Sequence, residues 1–168
     1  MAVLTAFLSL LLLPALSVGQ PSGGPASVMA PACEPTPGQD VLSVVGPMAG
    51  SWPAWVVDGS DTWHGATHPA KTLWVVAQLG QRVEITGRLL NGAAVAQFSR
   101  GSGPATPTLV VDDPLRESVR PGGATAEVLR AYAFIMSHVF YPVPGCWEFT
   151  VGIGSKRHKI VRNIEPSP

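Results

Sequence analysis

FYPVPGCWEFTVGIGSKRHKIVRNI, residues 140–164, is the stretch whose reading decides the fold. Trp147, Phe149, Val151 and Ile153 alternate with Cys146, Glu148, Thr150 and Gly152, the period of two that marks a half-buried strand. Gly154-Ser155 suits a two-residue hairpin, and a second β-branched run leads to Ile164. Pro142 and Pro144-Gly145 stop the preceding segment and aim the chain into the first of these strands. The pattern is that of an antiparallel β-sandwich at its C-terminal end. It specifies an architecture, not a reaction.

Working outward, residues 82–89 repeat the alternation: Val83, Ile85 and Leu89 face one way, and Arg82, Glu84, Thr86 and Arg88 the other, with Gly87 as a soft spot. Residues 71–79 (KTLWVVAQL) read as a hydrophobic strand, and residues 54–57 and 108–111 as short ones. Asn91-Gly92 is a turn signal that leads into an expected strand over residues 93–98. Residues 41–45 are read as a first short strand. Residues 125–140 fit helical spacing through Val128, Leu129, Tyr132, Ile135 and Val139, and strand spacing through Phe134, Met136 and Phe140. The reading adopted is a short helical turn up to about Arg130 and a strand over 133–141. Strands at intervals of roughly 8–12 residues with turns between them predict an all-β domain over residues 41–165, a sandwich of seven to nine strands. Leu73, Val75, Val83, Ile85, Leu89, Phe98, Trp147, Phe149, Val151 and Ile160 are assigned to its inner faces.

The opposite end of the chain speaks to location. Residues 2–16 are apolar apart from Thr5 and Ser9, and small residues at Ser17 and Gly19 precede Gln20. This is a secretory leader over residues 1–19, too short and too Pro-interrupted for a spanning helix. It lacks a Lys or Arg in its first residues, so an uncleaved anchor is the competing reading. Residues 20–40 are rich in Pro, Gly, Ser and Ala and bury too little apolar surface to offset ordering entropy; they are read as a disordered tether. Lys plus Arg and Asp plus Glu each number 11, so the chain has no basic excess with which to neutralise phosphates, and a nucleic-acid partner is not expected. Export and an extracytoplasmic location, secreted or in the cell envelope, are the expectation.

The two cysteines, Cys33 and Cys146, fit an oxidising compartment. A bridge between them would close a loop of ~100 residues and stabilise by up to ~4–5 kcal/mol where geometry permits. Two free thiols are the plain alternative. Lipidation of Cys33 is the third and weakest, because Ala30-Pro31-Ala32-Cys33 is a poor lipobox far from the apolar run.

Three motifs carry a resemblance. Ser51-Trp52-Pro53-Ala54-Trp55, Leu73-Trp74-Val75-Val76 and Pro142-Val143-Pro144-Gly145-Cys146-Trp147 resemble those of uncharacterised bacterial exported domains with an immunoglobulin-like β-sandwich. The similarity would run from about Cys33 to Ile164, with the last motif the most specific. The resemblance implies an immunoglobulin-like sandwich and no activity. Many such proteins look like lipoproteins; this chain differs in having no good lipobox beside its leader.

Chemistry-bearing residues are few. Trp52, Trp55 and Trp63 lie in or beside loops, where exposed indoles would stack on sugar faces; they are the candidate ligand-facing residues of a carbohydrate-binding reading. His64 and His68, with Asp58, would be the centre of a metal-dependent hydrolase, but Gly65 and Pro69 make that segment a loop whose spacing fixes no geometry. Cys146 begins a strand, and with His158 across a hairpin and no Met beyond it, it is not a copper ligand. Lys156, Arg157, His158 and Lys159 form a basic hairpin that would meet an anionic polymer or discourage edge pairing. No nucleophile elbow, zinc-protease motif or Ser-x-x-Lys is present in the sequence. The expectation is a non-enzymatic domain that acts by binding or spacing an unidentified partner, with no cofactor, no metal and no transmembrane span in its mature form.

Overall fold

A computed structural model describes residues 32–57, 61–77 and 79–168. The leader read over residues 1–19 and most of the tether lie outside the described residues.

The alternation at residues 146–153 becomes strand β10 (Gly145–Ile153), and β11 (Lys156–Pro166) returns beside it with Ile153 opposite Lys156. Gly154 has φ of 57° and Ser155 does not share the sign, the requirement of a two-residue turn with its first central residue left-handed. On its other side β10 pairs with β6 (Val83–Leu89), which pairs with β8 (Thr108–Val111). A two-residue strand, β4 (Thr62–Trp63), joins the far edge of β11 in parallel, giving the order β4-β11-β10-β6-β8. A second sheet has the order β1-β2-β3-β5-β9-β7, built from Gly38–Gln39, Met48–Ser51, Ala54–Val57, Ala70–Val76, Ala133–Phe140 and Gln97–Ser99 respectively. Every pairing except β4 with β11 is antiparallel. Among the described residues the only helix is α1 (Ala126–Ala131), capped by the Thr125 hydroxyl, which accepts from the Val128 amide.

The two sheets share one core. Val83, Ile85, Phe149, Val151, Ile153 and Ile160 come from one sheet, and Val56, Trp74, Val76, Phe98, Ile135 and Val139 from the other. Trp74 meets Phe149 edge-on with ring centroids 5.2 Å apart, and Phe98 lies 6.3 Å from each of them. The Trp74 indole N–H is satisfied inside this layer by the Ser137 hydroxyl at 2.9 Å.

A second apolar layer lies on the outer face of the six-stranded sheet. Met48, Trp55, Val75 and Phe134 are covered there by Val41, Leu42 and Val45 and by Val128, Leu129 and Tyr132 at and beside α1. This corrects two expectations. Leu73 and Val75 belong to the outer layer, and Trp74 between them is the inward residue; a strand apolar on both faces carries no alternation from which to read its phase. Residues 41–45 form a turn, with the Val45 amide bonded to Leu42 O at 3.1 Å. The edge of β2 is already taken by β1, so the apolar residues of this segment are buried by folding over the sheet.

The strand expected at 93–98 is a crossing between sheets. Val95 makes a bridge to Arg88 in one sheet, and two residues on, at Gln97, β7 begins its pairing with β9 in the other. The helix-or-strand ambiguity of residues 125–140 resolves as read, a short helix and then a strand from Ala133.

Glu148 departs from the simple polar-out expectation. It is on the outer face of its sheet yet nearly buried, held by Arg88 at 2.9 Å and Lys159 at 3.1 Å. Burial alone would raise its carboxyl pKa, but the hydrogen bonds and positive charges of Arg88 and Lys159 outweigh it and leave the pKa below the ordinary value. A depressed pKa contributes stability that is present above the unfolded-state value and is lost as pH falls through the folded one. Glu148→Gln is therefore expected to flatten the acid limb of the stability curve below about pH 4.3, read from urea unfolding at a series of pH values.

Gly87 proves to be a packing requirement. A Cβ there would fall 2.7 and 2.9 Å from two Phe149 ring carbons and 3.0 Å from the Ala96 Cβ. Gly87→Ala should lower stability, since overpacking costs about 1–3 kcal/mol while relief of glycine's entropy returns only ~0.5–1 kcal/mol. A lower denaturant midpoint at unchanged slope is the expected readout.

Candidate functional site

A depression on the described surface follows the outer edge of β11. Its N-terminal wall is built by the segment just before β1. Cys33 is bonded to Cys146 at the start of β10, with Cα atoms 5.5 Å apart. Three residues on, the Thr36 amide donates to Val161 O at 2.9 Å, and the Thr36 hydroxyl accepts from the Val161 amide at 2.8 Å. The segment then leaves this sheet: β1 pairs with β2, and the Gln39 side-chain Nε2 donates to Gly50 O at 3.1 Å. The opposite wall is β4, fastened where the Glu165 amide donates to Asp61 O at 2.6 Å and the Ser167 amide to Trp63 O at 3.0 Å.

Between the walls lies a groove of about 520 Å³, lined by Pro35, Thr36, Pro37 and Gly38, by Asp61 and Thr62, and by Arg162, Asn163 and Glu165. Its floor holds an interior charge. Strand alternation sends Ile160, Arg162 and Ile164 to the same inward face, so Arg162 occupies a position an apolar residue would normally fill. Its side chain is 7% exposed and forms an ion pair with Asp61, which is 44% exposed. Tyr141 completes the cluster. Burial, followed by the negative charge of Asp61, holds its phenol above its usual pKa, with Arg162 acting in the opposite sense. A phenol so held stays protonated and is a hydrogen-bonding group, not a base. The arrangement offers a groove with neutralised ionic groups and backbone edges, suited to binding by hydrogen bonds.

The residues singled out from the sequence are dispersed. Trp52 sits in the β2–β3 turn before a cis Pro53 and is 62% exposed. Trp55 is 3% exposed, buried beneath Tyr132 and Trp52, whose ring centroids each lie 6.1 Å from its own. Trp63 is half-buried against the core, and its indole donates to Tyr141 O at 2.8 Å. The three indoles thus do not form one platform. His64 and His68 are exposed, and Asp58 lies outside the described residues. Among the described residues no group of three or more His, Cys, Asp and Glu side chains stands close enough to hold a metal ion. In the basic hairpin Arg157 donates to Gly154 O and Lys156 O, and Lys159 is engaged by Glu148.

Sequence reading did not single out Tyr141 or Arg162, and it considered Asp61 only as a possible further ligand beside His64 and His68, not as the partner of an arginine. One signal was present: in KIVRNI an arginine falls in phase with two isoleucines. Its partner Asp61, 101 residues away, carries no local signature.

No protein-family profile matches this chain, and no curated protein matches it. Among solved structures it is similar to an X-ray crystal structure described as a putative lipoprotein from Bacillus anthracis. The TM-score is 0.51 at 16% sequence identity, over 89% of this chain and 99% of that one. At this identity the likeness is one of fold.

Asp61→Ala removes one carboxylate from the Arg162 guanidinium. Removing one partner of a buried polar pair costs ~1–3 kcal/mol, and the part-exposure of Asp61 places the expected loss toward the low end. Urea unfolding at neutral pH measures it, as a lower denaturant midpoint at unchanged slope.

Proposed function

We propose that this chain is an exported, non-enzymatic domain of the cell envelope or extracellular space, an immunoglobulin-like sandwich that acts by binding or spacing. The observation that carries the reading is the Cys33–Cys146 bridge, which ties the N-terminal segment to the penultimate strand across 113 residues. Structural disulfides form and persist in oxidising compartments, and the apolar leader supplies a route to one. Two sheets that share a core, with a groove along one edge, would give a partner a surface, and the fold is similar to that of a protein described as a putative lipoprotein. In the bridged chain the Cys33 sulfur is not available for a thioether to lipid, so association with the envelope would run through the leader or through the groove. The groove, not the tryptophans, is the surface we assign to binding.

A carbohydrate-binding reading keeps one specific support, the exposed indole of Trp52 held in a turn whose Pro53 carbonyl accepts from the Ala77 amide at 2.9 Å. The two readings separate on titration with soluble cell-wall glycan fragments: quenching of fluorescence that is lost in Trp52→Ala supports sugar stacking, and an unchanged spectrum supports the groove.

Export is tested by expressing the full chain in a bacterial host, fractionating the cells and mapping peptides without reduction. The expected result is an extracytoplasmic protein with the Cys33 and Cys146 peptides linked. A cytoplasmic protein with both thiols free, or a mature form beginning at a lipid-bearing Cys33, would overturn it.

A further inference from the structure

The wall of the groove contributed by residues 33–39 is held by little besides its disulfide. Its described contacts are the two hydrogen bonds between Thr36 and Val161, a two-residue ladder with β2 and the Gln39 side-chain bond to Gly50. Pro35 and Pro37 have no N–H to donate, and neither Cys33 nor its neighbours belong to a core cluster. Ordering such a segment costs more conformational entropy than those few bonds return. Cys146, by contrast, begins a strand whose ladders to β6 and β11 do not involve Cys33.

We propose that the Cys33–Cys146 bridge is a redox latch for the β11 edge. Closed, it holds residues 33–39 as one wall of the groove and as the cover over Val161; opened, it releases them and bares the backbone N–H and C=O of Val161. The reductant is a dithiol. Its first thiolate attacks the Cys33 sulfur, the more exposed of the pair, breaking the S–S bond and forming a mixed disulfide, while Cys146 leaves as a thiolate and takes up a proton. The second thiol of the reductant then closes on its own sulfur and releases Cys33 as a thiol, so that two electrons and two protons pass from the dithiol to the protein. The consequence for binding rests on the groove being the partner surface, as proposed above; the release itself does not.

Amide hydrogen exchange on the full purified chain, oxidised and after dithiothreitol, tests the latch. The Val161 amide should exchange at least tenfold faster after reduction, while Phe149 in β10 and Trp74 in β5 keep their protection. Unchanged protection at Val161 would overturn the proposal, because the segment would then hold without the bridge. Parallel loss at Val161, Phe149 and Trp74 would overturn it too, because the bridge would be a staple of the whole fold. Thr36→Val in the oxidised protein removes the acceptor for the Val161 amide and should speed its exchange with the bridge intact; no change there would remove the segment as the source of protection. These measurements use purified protein, so their outcome is separate from that of cell fractionation.

Discussion

The structure depends on one aromatic contact, the ring of Phe149 set between Trp74 and Phe98. It is the point at which a strand of one sheet meets two strands of the other, and full burial of such a side chain is worth about 1.5–3 kcal/mol before any ring geometry is counted. The contact is possible because Gly87, directly across the ladder from Phe149, has no side chain to occupy the ring's space. Register follows from the same constraint. A slip of one residue between β6 and β10 would put Thr86 or Arg88 opposite the ring and turn every inward residue of a strand outward.

An exposed strand edge is the liability of such an architecture, and β11 shows how this chain manages it. The edge of β11 is covered in pieces, by Thr36 at Val161 and by β4 at Glu165 and Pro166, with the groove in the interval. The basic residues near the hairpin tip, Lys156 and Arg157, protect the stretch that neither piece reaches. Edge protection and groove are therefore one feature. The segment that blocks uncontrolled pairing along β11 also shapes a depression lined by the buried Arg162 guanidinium and its half-exposed partner Asp61.

What was legible in the sequence follows the same division. Strands whose sequence alternates apolar with polar or small residues, β6 and β10, could be phased from that alternation, and the Gly154-Ser155 turn fixed the register of the final hairpin. Strand β5 could not be phased, because α1 and residues 41–46 cover its outer face and both of its faces are apolar. Burial of Trp55 agrees with packing as the preferred reading of the tryptophans, but the layer that covers it could not be read locally, because a tryptophan beside a Pro turn has no alternation to show which face it takes. The groove was not legible. It is assembled from residues near positions 36, 61 and 162, and only the arginine in an apolar phase hinted at it.

That arginine is the best argument that the groove is more than a gap in the edge. A hydrophobic side chain at position 162 would continue the row of Ile160 and Ile164 and would be as stabilising as an interior ion pair, or more so, since desolvating two charges offsets most of their attraction. The charge therefore contributes something other than stability. Through Asp61 it fixes the entry into β4, whose Trp63 indole in turn holds the Tyr141 carbonyl, so that one guanidinium positions the second wall of the groove. The two walls are thus set by different physics, one by a covalent bridge and the other by an ion pair between a buried guanidinium and a half-exposed carboxylate. On the proposed reading the first wall would answer to the redox state of the surroundings and the second to charged or polar ligands, so a partner surface at this edge would depend on the compartment in which the protein stands.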